Sequence, residues 1–151
     1  MSRKLHQQLG DKVSVVNAGI AGNMVVSSLA TPSAVDRVNR DVIQLAGASH
    51  VIWMQGINEL YAASGPIALN FGSLATDSTR QQINTYILTS GLFDGTIDFA
   101  AAVTDPLTGM LRVPYVPNSQ GSAGDYLHPN RAGYQAMELA ATNLMLSMLA
   151  N

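Results

Sequence analysis

Cysteine is absent from all 151 residues, so the chain can build no disulfide framework, thiolate metal site or cysteine nucleophile. Positive charge is scarce: eight Lys and Arg stand against ten Asp and Glu, for a net charge of −2, and no basic residues cluster. Nucleic acid and anionic membrane surfaces are recognised through concentrated basic patches, so nucleic acid is not an expected partner. No apolar run approaches the roughly 18 residues of a membrane span, and the polar opening MSRKLHQQLGDK is no signal peptide. Localisation is therefore unassigned, with the cytoplasm as default. Histidine is limited to His6, His50 and His128, which are scattered and offer no zinc-ligand spacing. NAGIAGN, residues 17–23, lacks the GxGxxG order of dinucleotide-binding folds, and no GK[ST] of a P-loop occurs. Neither a metal nor a cofactor is expected.

What is present is apolar and rich in glycine: 47% hydrophobic and 12% charged residues with 13 glycines, a composition that folds. At this length a single domain over residues 1–151 is expected. Val13–Val16 is a short β-branched run that breaks at Asn17-Ala18-Gly19, as a buried parallel strand does. Thr31 and Pro32 predict a helix start, with Val35, Val38, Val42 and Leu45 on one face and Gly47 as the stop. His50–Met54 (HVIWM) predicts a second buried strand with Trp53 in the core. A helix over about Ser78 to Ser90, with Ile83 and Ile87 inward, leads to a third strand, Thr96–Phe99 (TIDF). The last helix begins at about Arg131 and lines up Tyr134, Met137, Ala141, Leu144, Met145 and Met148 on one face. This β-α-β-α-β-α alternation predicts an α/β fold, a parallel sheet with helices on both faces and functional loops at the carboxyl ends of the strands.

Three loops carry candidate chemistry. Asn17–Asn23 has glycines that permit tight backbone and free amides, though Gly and Asn are also ordinary turn formers. In Gln55-Gly56-Ile57-Asn58-Glu59, the amide of Asn58 is placed to donate to a developing negative charge, or else to cap a helix. In GDYLHPN, residues 124–130, Asp125 and His128 stand three apart, a spacing at which the carboxylate orients the imidazole; alone, such a pair is more often structural. His6 and His50 read as structural.

In order, NxGxxGN, GxN and DxxHPN resemble the second, third and last conserved blocks of the SGNH hydrolases, the GDSL-like esterases and lipases, from about Val13 to Met137. The resemblance implies a three-layer α/β/α sandwich of flavodoxin-like type and hydrolysis of a small carboxylic ester. It also implies, residue by residue, Gly22 and Asn58 in an oxyanion hole and Asp125 and His128 as catalytic partners. The family's Gly-Asp-Ser block has no counterpart, since Gly10-Asp11-Lys12 stands ahead of the second block's strand. On the resemblance, the usual first strand and the nucleophile are missing, and so are the helix and strand that normally separate Asn58 from the helix at Arg80. Glu59 stands where the family has an aspartate.

The nucleophile is therefore unknown. Ser27, Ser28, Ser64, Ser73, Ser119 and Ser122 lie in or beside loops, but none sits in a GxSxG turn. Two chemical routes follow: one of these serines attacks, or His128 activates water directly. A sheet lacking an interior strand leaves unpaired edges, so a homo-oligomer that fills the gap is expected. The rival expectation is a catalytically inactive remnant that binds a ligand or serves as an assembly unit.

Overall fold

The computed structural model describes residues 2–26, 31–59, 74–119 and 123–150. Among the described residues the α-helices include α1 Ser2–Leu9, α2 Ala34–Val38, α3 Leu74–Thr89, α4 Phe99–Val103 and α5 Arg131–Leu149. Residues 57–59 are also helical. The chain divides into two compact units, Met1–Val15 with Gln81–Asn151, and Val16–Arg80.

The expected parallel sheet does not form. Among the described residues there is no strand, and the one β-type pairing is an isolated antiparallel bridge between Thr104 and Leu111. Val13–Val16 and His50–Met54 make no backbone hydrogen bonds, so the three-layer α/β sandwich is overturned. The physical reason is that a strand exists only through its neighbour: a β-branched run satisfies the local requirement, whereas the ladder must come from a segment distant in sequence. Unladdered, these segments face solvent; Val16 is 65% exposed and Trp53, expected in the core, is 47% exposed. The third expected strand fails differently. Asp98 Oδ1 accepts from the Ala101 amide at 2.8 Å, so TIDF leads into and caps α4.

The helix expected after Thr31 is present but starts later and ends sooner in α-form. Ser33, not Thr31, is its N-cap, in a reciprocal capping box: Ser33 Oγ accepts from the Asp36 amide at 3.2 Å, and Asp36 Oδ2 accepts from the Ser33 amide at 3.1 Å. After Val38 the backbone widens into one π-helical turn, Asn39–Ile43. Within the α-helical part Ala34 and Arg37 are buried and Val35 is exposed, and beyond the π turn Leu45 is exposed. α3 begins four residues ahead of the expected Ser78, and Ile83 on it is exposed rather than inward.

In the unit that holds both termini, α5 packs against α1, α4 and the 3₁₀ turn Val113–Tyr115. Gly133 and Ala141 are buried on it, with Met137, Leu144 and Met148 half-buried, a stripe at spacings of three and four. Tyr134, expected on this face, is exposed. Among the described residues, Leu5, Val103, Val116 and Ala141 are the buried apolar residues here, and in the other unit they are Met24 and Ala34. No described helix is long and apolar enough to cross a membrane.

Candidate active site

GDYLHPN is built as a short loop that rests on the 3₁₀ turn and feeds α5. Gly124 has φ +110°, and a Cβ there would lie 2.3 Å from the Val116 carbonyl oxygen, so glycine is required on both counts. Asn130 closes the other end. Its Oδ1 accepts from the amides of Ala132 (2.9 Å) and Gly133 (3.2 Å), capping α5. Its Nδ2 donates to the carbonyls of Pro114 and Pro117, both at 2.9 Å, and its backbone amide donates to the Tyr115 carbonyl at 2.7 Å. Gly133 permits this close approach, since a Cβ there would meet the Pro129 Cβ at 2.6 Å.

Between these anchors Asp125 divides its two oxygens. Oδ1 accepts from the amides of Leu127 (3.1 Å) and His128 (2.8 Å), forming a tight turn, and Oδ2 meets His128 Nδ1 at 2.5 Å. Partial desolvation pushes the Asp125 carboxyl up, but the hydrogen bonds from the His128 ring and from the His128 and Leu127 amides outweigh it and hold the group at about 2. At neutral pH it is a carboxylate, which only accepts. His128 Nδ1 therefore carries the proton in this contact, and neutral His128 has its lone pair on Nε2. The side chains of His128 and Asp125 are 44% and 40% exposed, so the ring is open to a solute. Tyr126 between them has φ +59°, an unfavourable conformation for an aromatic residue, and its side chain is exposed.

Gly22 and Asn58 belong to the second unit, where the structure brings their loops together. Asn58 Nδ2 donates to the Asn23 carbonyl at 2.8 Å, and Glu59 Oε1 accepts from the Val25 amide. An amide nitrogen has two hydrogens, so Asn58 retains one beyond this bond. Gly22 has φ +70°, open space where a Cβ would stand, and an amide that donates to no described residue. Both groups thus keep an N–H to offer.

Of the candidate serines, only Ser119 is among the described residues, and at 2% exposure it is closed to an ester. Ser27, Ser28, Ser64, Ser73 and Ser122 lie outside them. His50 is exposed, its Nδ1 paired with Ser49 Oγ at 3.0 Å. No group of three His, Asp or Glu side chains among the described residues is placed to hold a metal ion. Sequence reasoning missed Asn130 as a clamp and Arg37 as a buried cation. The first was signalled by Asn directly before a helical run, and the second had no local signal.

Compared with protein-family models and with curated proteins, the chain matches none. The likeness to SGNH hydrolases rests on the sequence blocks alone, together with the stretch from Arg80 to Phe99.

Proposed function

We propose that this protein hydrolyses small carboxylic esters, with His128 as general base and Asp125 as the group that orients it. One observation carries the reading: Asp125 spends one oxygen on the backbone turn and the other on Nδ1, which leaves Nε2 as the basic atom on an accessible ring. With no serine assigned, the nucleophile in this reading is water. Nε2 takes a proton as the water oxygen bonds to the ester carbonyl carbon, whose π electrons move to oxygen and form an oxyanion. When the intermediate collapses, the carbon–alkoxy bond breaks and the proton on Nε2 passes to the leaving alkoxide, giving acid and alcohol. Serine hydrolases stripped of a triad member retain roughly 10³ to 10⁴ of rate over water, so weak turnover is the expected scale.

The test is hydrolysis of 4-nitrophenyl acetate by the purified chain, by His128→Ala, and by a His6→Ala/His50→Ala control. The reading expects loss in the first variant and retention in the control. Equal rates in all three proteins would sink it.

Exposed apolar residues favour a homo-oligomer as the working form. Val51, Trp53 and Met54 in one unit, and Leu107, Met110 and Val113 in the other, are all exposed, a surface that association would remove from water.

A further inference from the structure

Both ends of the histidine loop rest on one short segment of the same unit. Gly124 lies against the Val116 carbonyl. At the other end Asn130 takes the three carbonyls around it: its backbone amide donates to Tyr115 at 2.7 Å, and its Nδ2 donates to Pro114 and Pro117, both at 2.9 Å. Residues 114–117, which begin in the 3₁₀ turn, are therefore a template that sets the separation of the loop's ends. Asn130 Oδ1 meanwhile caps α5, so one side chain joins template, loop and helix.

The turn held on this template is not a relaxed one. Tyr126 has φ +59°, where an ordinary side chain crowds its own backbone, and its side chain is 66% exposed, so packing does little to offset the strain. Within the loop, the two amide bonds to Asp125 Oδ1 oppose its relaxation. The contact of Asp125 Oδ2 with the His128 ring depends on that turn, because both residues belong to it. From Asn130 the constraint reaches His128 through a single residue, Pro129. Proline fixes its own φ and keeps the residue before it out of the helical region. Pro129 is also wedged against α5: a Cβ on Gly133 would stand 2.6 Å from the Pro129 Cβ and 3.1 Å from that of Tyr115. A fixed Asn130 thus leaves His128 little freedom beyond its side-chain torsions, and Asp125 Oδ2 takes these up at Nδ1.

We infer that Asn130 is a positioning residue for His128: by clamping the loop to the Pro114 and Pro117 carbonyls, it keeps the imidazole proton on Nδ1 and the lone pair on Nε2. Its own hydrogen bonds go to backbone groups, so it acts on the ring only through the loop. The consequence for rate rests on the ester reading, whereas the effect on the ring does not. Serine separates the clamp from the cap, since it keeps an oxygen for the α5 amides and has no amide for the carbonyls.

The experiment reads the ring nitrogens of His128 in long-range ¹H–¹⁵N spectra of histidine-labelled protein, in alkaline solution with the imidazoles neutral, and assigns them with His128→Ala. Free histidine carries its proton mainly on Nε2, so a protonated Nδ1 is diagnostic of the held ring. Wild type should show Nδ1 protonated and Nε2 bare, and in Asn130→Ser both signals should move toward the free-histidine mixture. Asp98→Ala, which removes the cap of α4 in the same unit and touches nothing in the loop, should leave them in place. On 4-nitrophenyl acetate, Asn130→Ser should lose about tenfold or more in kcat with KM unchanged, because orientation of the base is lost and not binding. Asn130→Thr, also a capping residue without an amide, serves if Asn130→Ser does not fold. Unmoved ring signals in a folded variant overturn the positioning role and leave the ester reading to its own test. An inert wild type whose ring signals respond as expected removes the ester reading and keeps the positioning role.

Discussion

Tyr126 holds a backbone conformation, φ +59°, that costs an ordinary residue roughly 1–2 kcal/mol. It is retained there by its neighbours: both amides that follow donate to Asp125 Oδ1, and Gly124 and Asn130 pin the loop ends. Since the Tyr126 side chain is 66% exposed, it recovers little by packing. Tyr126→Gly should therefore stabilise the protein by about 0.5–1 kcal/mol, the relief of strain less the greater freedom of glycine in the unfolded chain. Urea unfolding reads this directly; a lower midpoint would mean that the phenol ring makes contacts worth more than the strain. At this scale the sequence was informative, because an Asp and a His three apart in a turn need only local geometry to meet. Arg37 was illegible for the opposite reason. Its partners Ala18 and Asn23 lie 19 and 14 positions away, and nothing local distinguishes a buried arginine from a solvated one.

Among the elements, α5 was the easiest to read and α2 the most instructive. A run from Arg131 with apolar residues at helical spacing, preceded by Asn130, specifies a start that the structure keeps. Asn130 does two jobs, and substitution separates them. Asn130→Ala removes the cap and both Nδ2 bonds to Pro114 and Pro117, for a loss of about 2–4 kcal/mol. Asn130→Ser keeps an oxygen for the cap and places none against the Pro114 and Pro117 carbonyls, so it should lose only the clamp, roughly half as much. Equal losses, measured by urea unfolding, would show that the cap contributes nothing. Around α2 the valines at 35, 38 and 42 suggested one continuous face; Val38 and Val42 are half-buried, but Val35 is exposed, Ala34 and Arg37 are buried, and a π turn, Asn39–Ile43, follows Val38. Periodicity read from sequence assumes 3.6 residues per turn, and one wide turn breaks the assumption. Two of the three expected strands, Val13–Val16 and His50–Met54, have strand composition without a ladder, and the third is taken up as the cap of α4.

For the molecule as a whole, the balance of buried and exposed apolar residues decides what to expect in solution. Val16–Arg80 fully buries Met24 and Ala34 among its described apolar residues, and exposes Val16, Val26, Ile43, Val51, Trp53 and Met54. Association that covers these exposed side chains would remove apolar surface from water and add to stability. Light scattering should give a mass that is a multiple of 16.0 kDa, and the melting temperature should rise with protein concentration. A 16.0 kDa species whose melting temperature is independent of concentration would refute the oligomer. Composition made a folded protein legible, but burial is a property of neighbours, and so the exposed Trp53 had no signal in HVIWM.

Gly124 and His128 differ in what their presence tells a geneticist. With the Val116 carbonyl 2.3 Å from where a Cβ would stand, every substitution at position 124 is purged by the shape of the loop, active or not. A glycine found there in any descendant of this sequence testifies to architecture alone. His128, with its ring partly in solvent, has no comparable steric duty. Tolerance at 128 set against intolerance at 124 in a library scored only for folding would mark the histidine as a residue kept for chemistry.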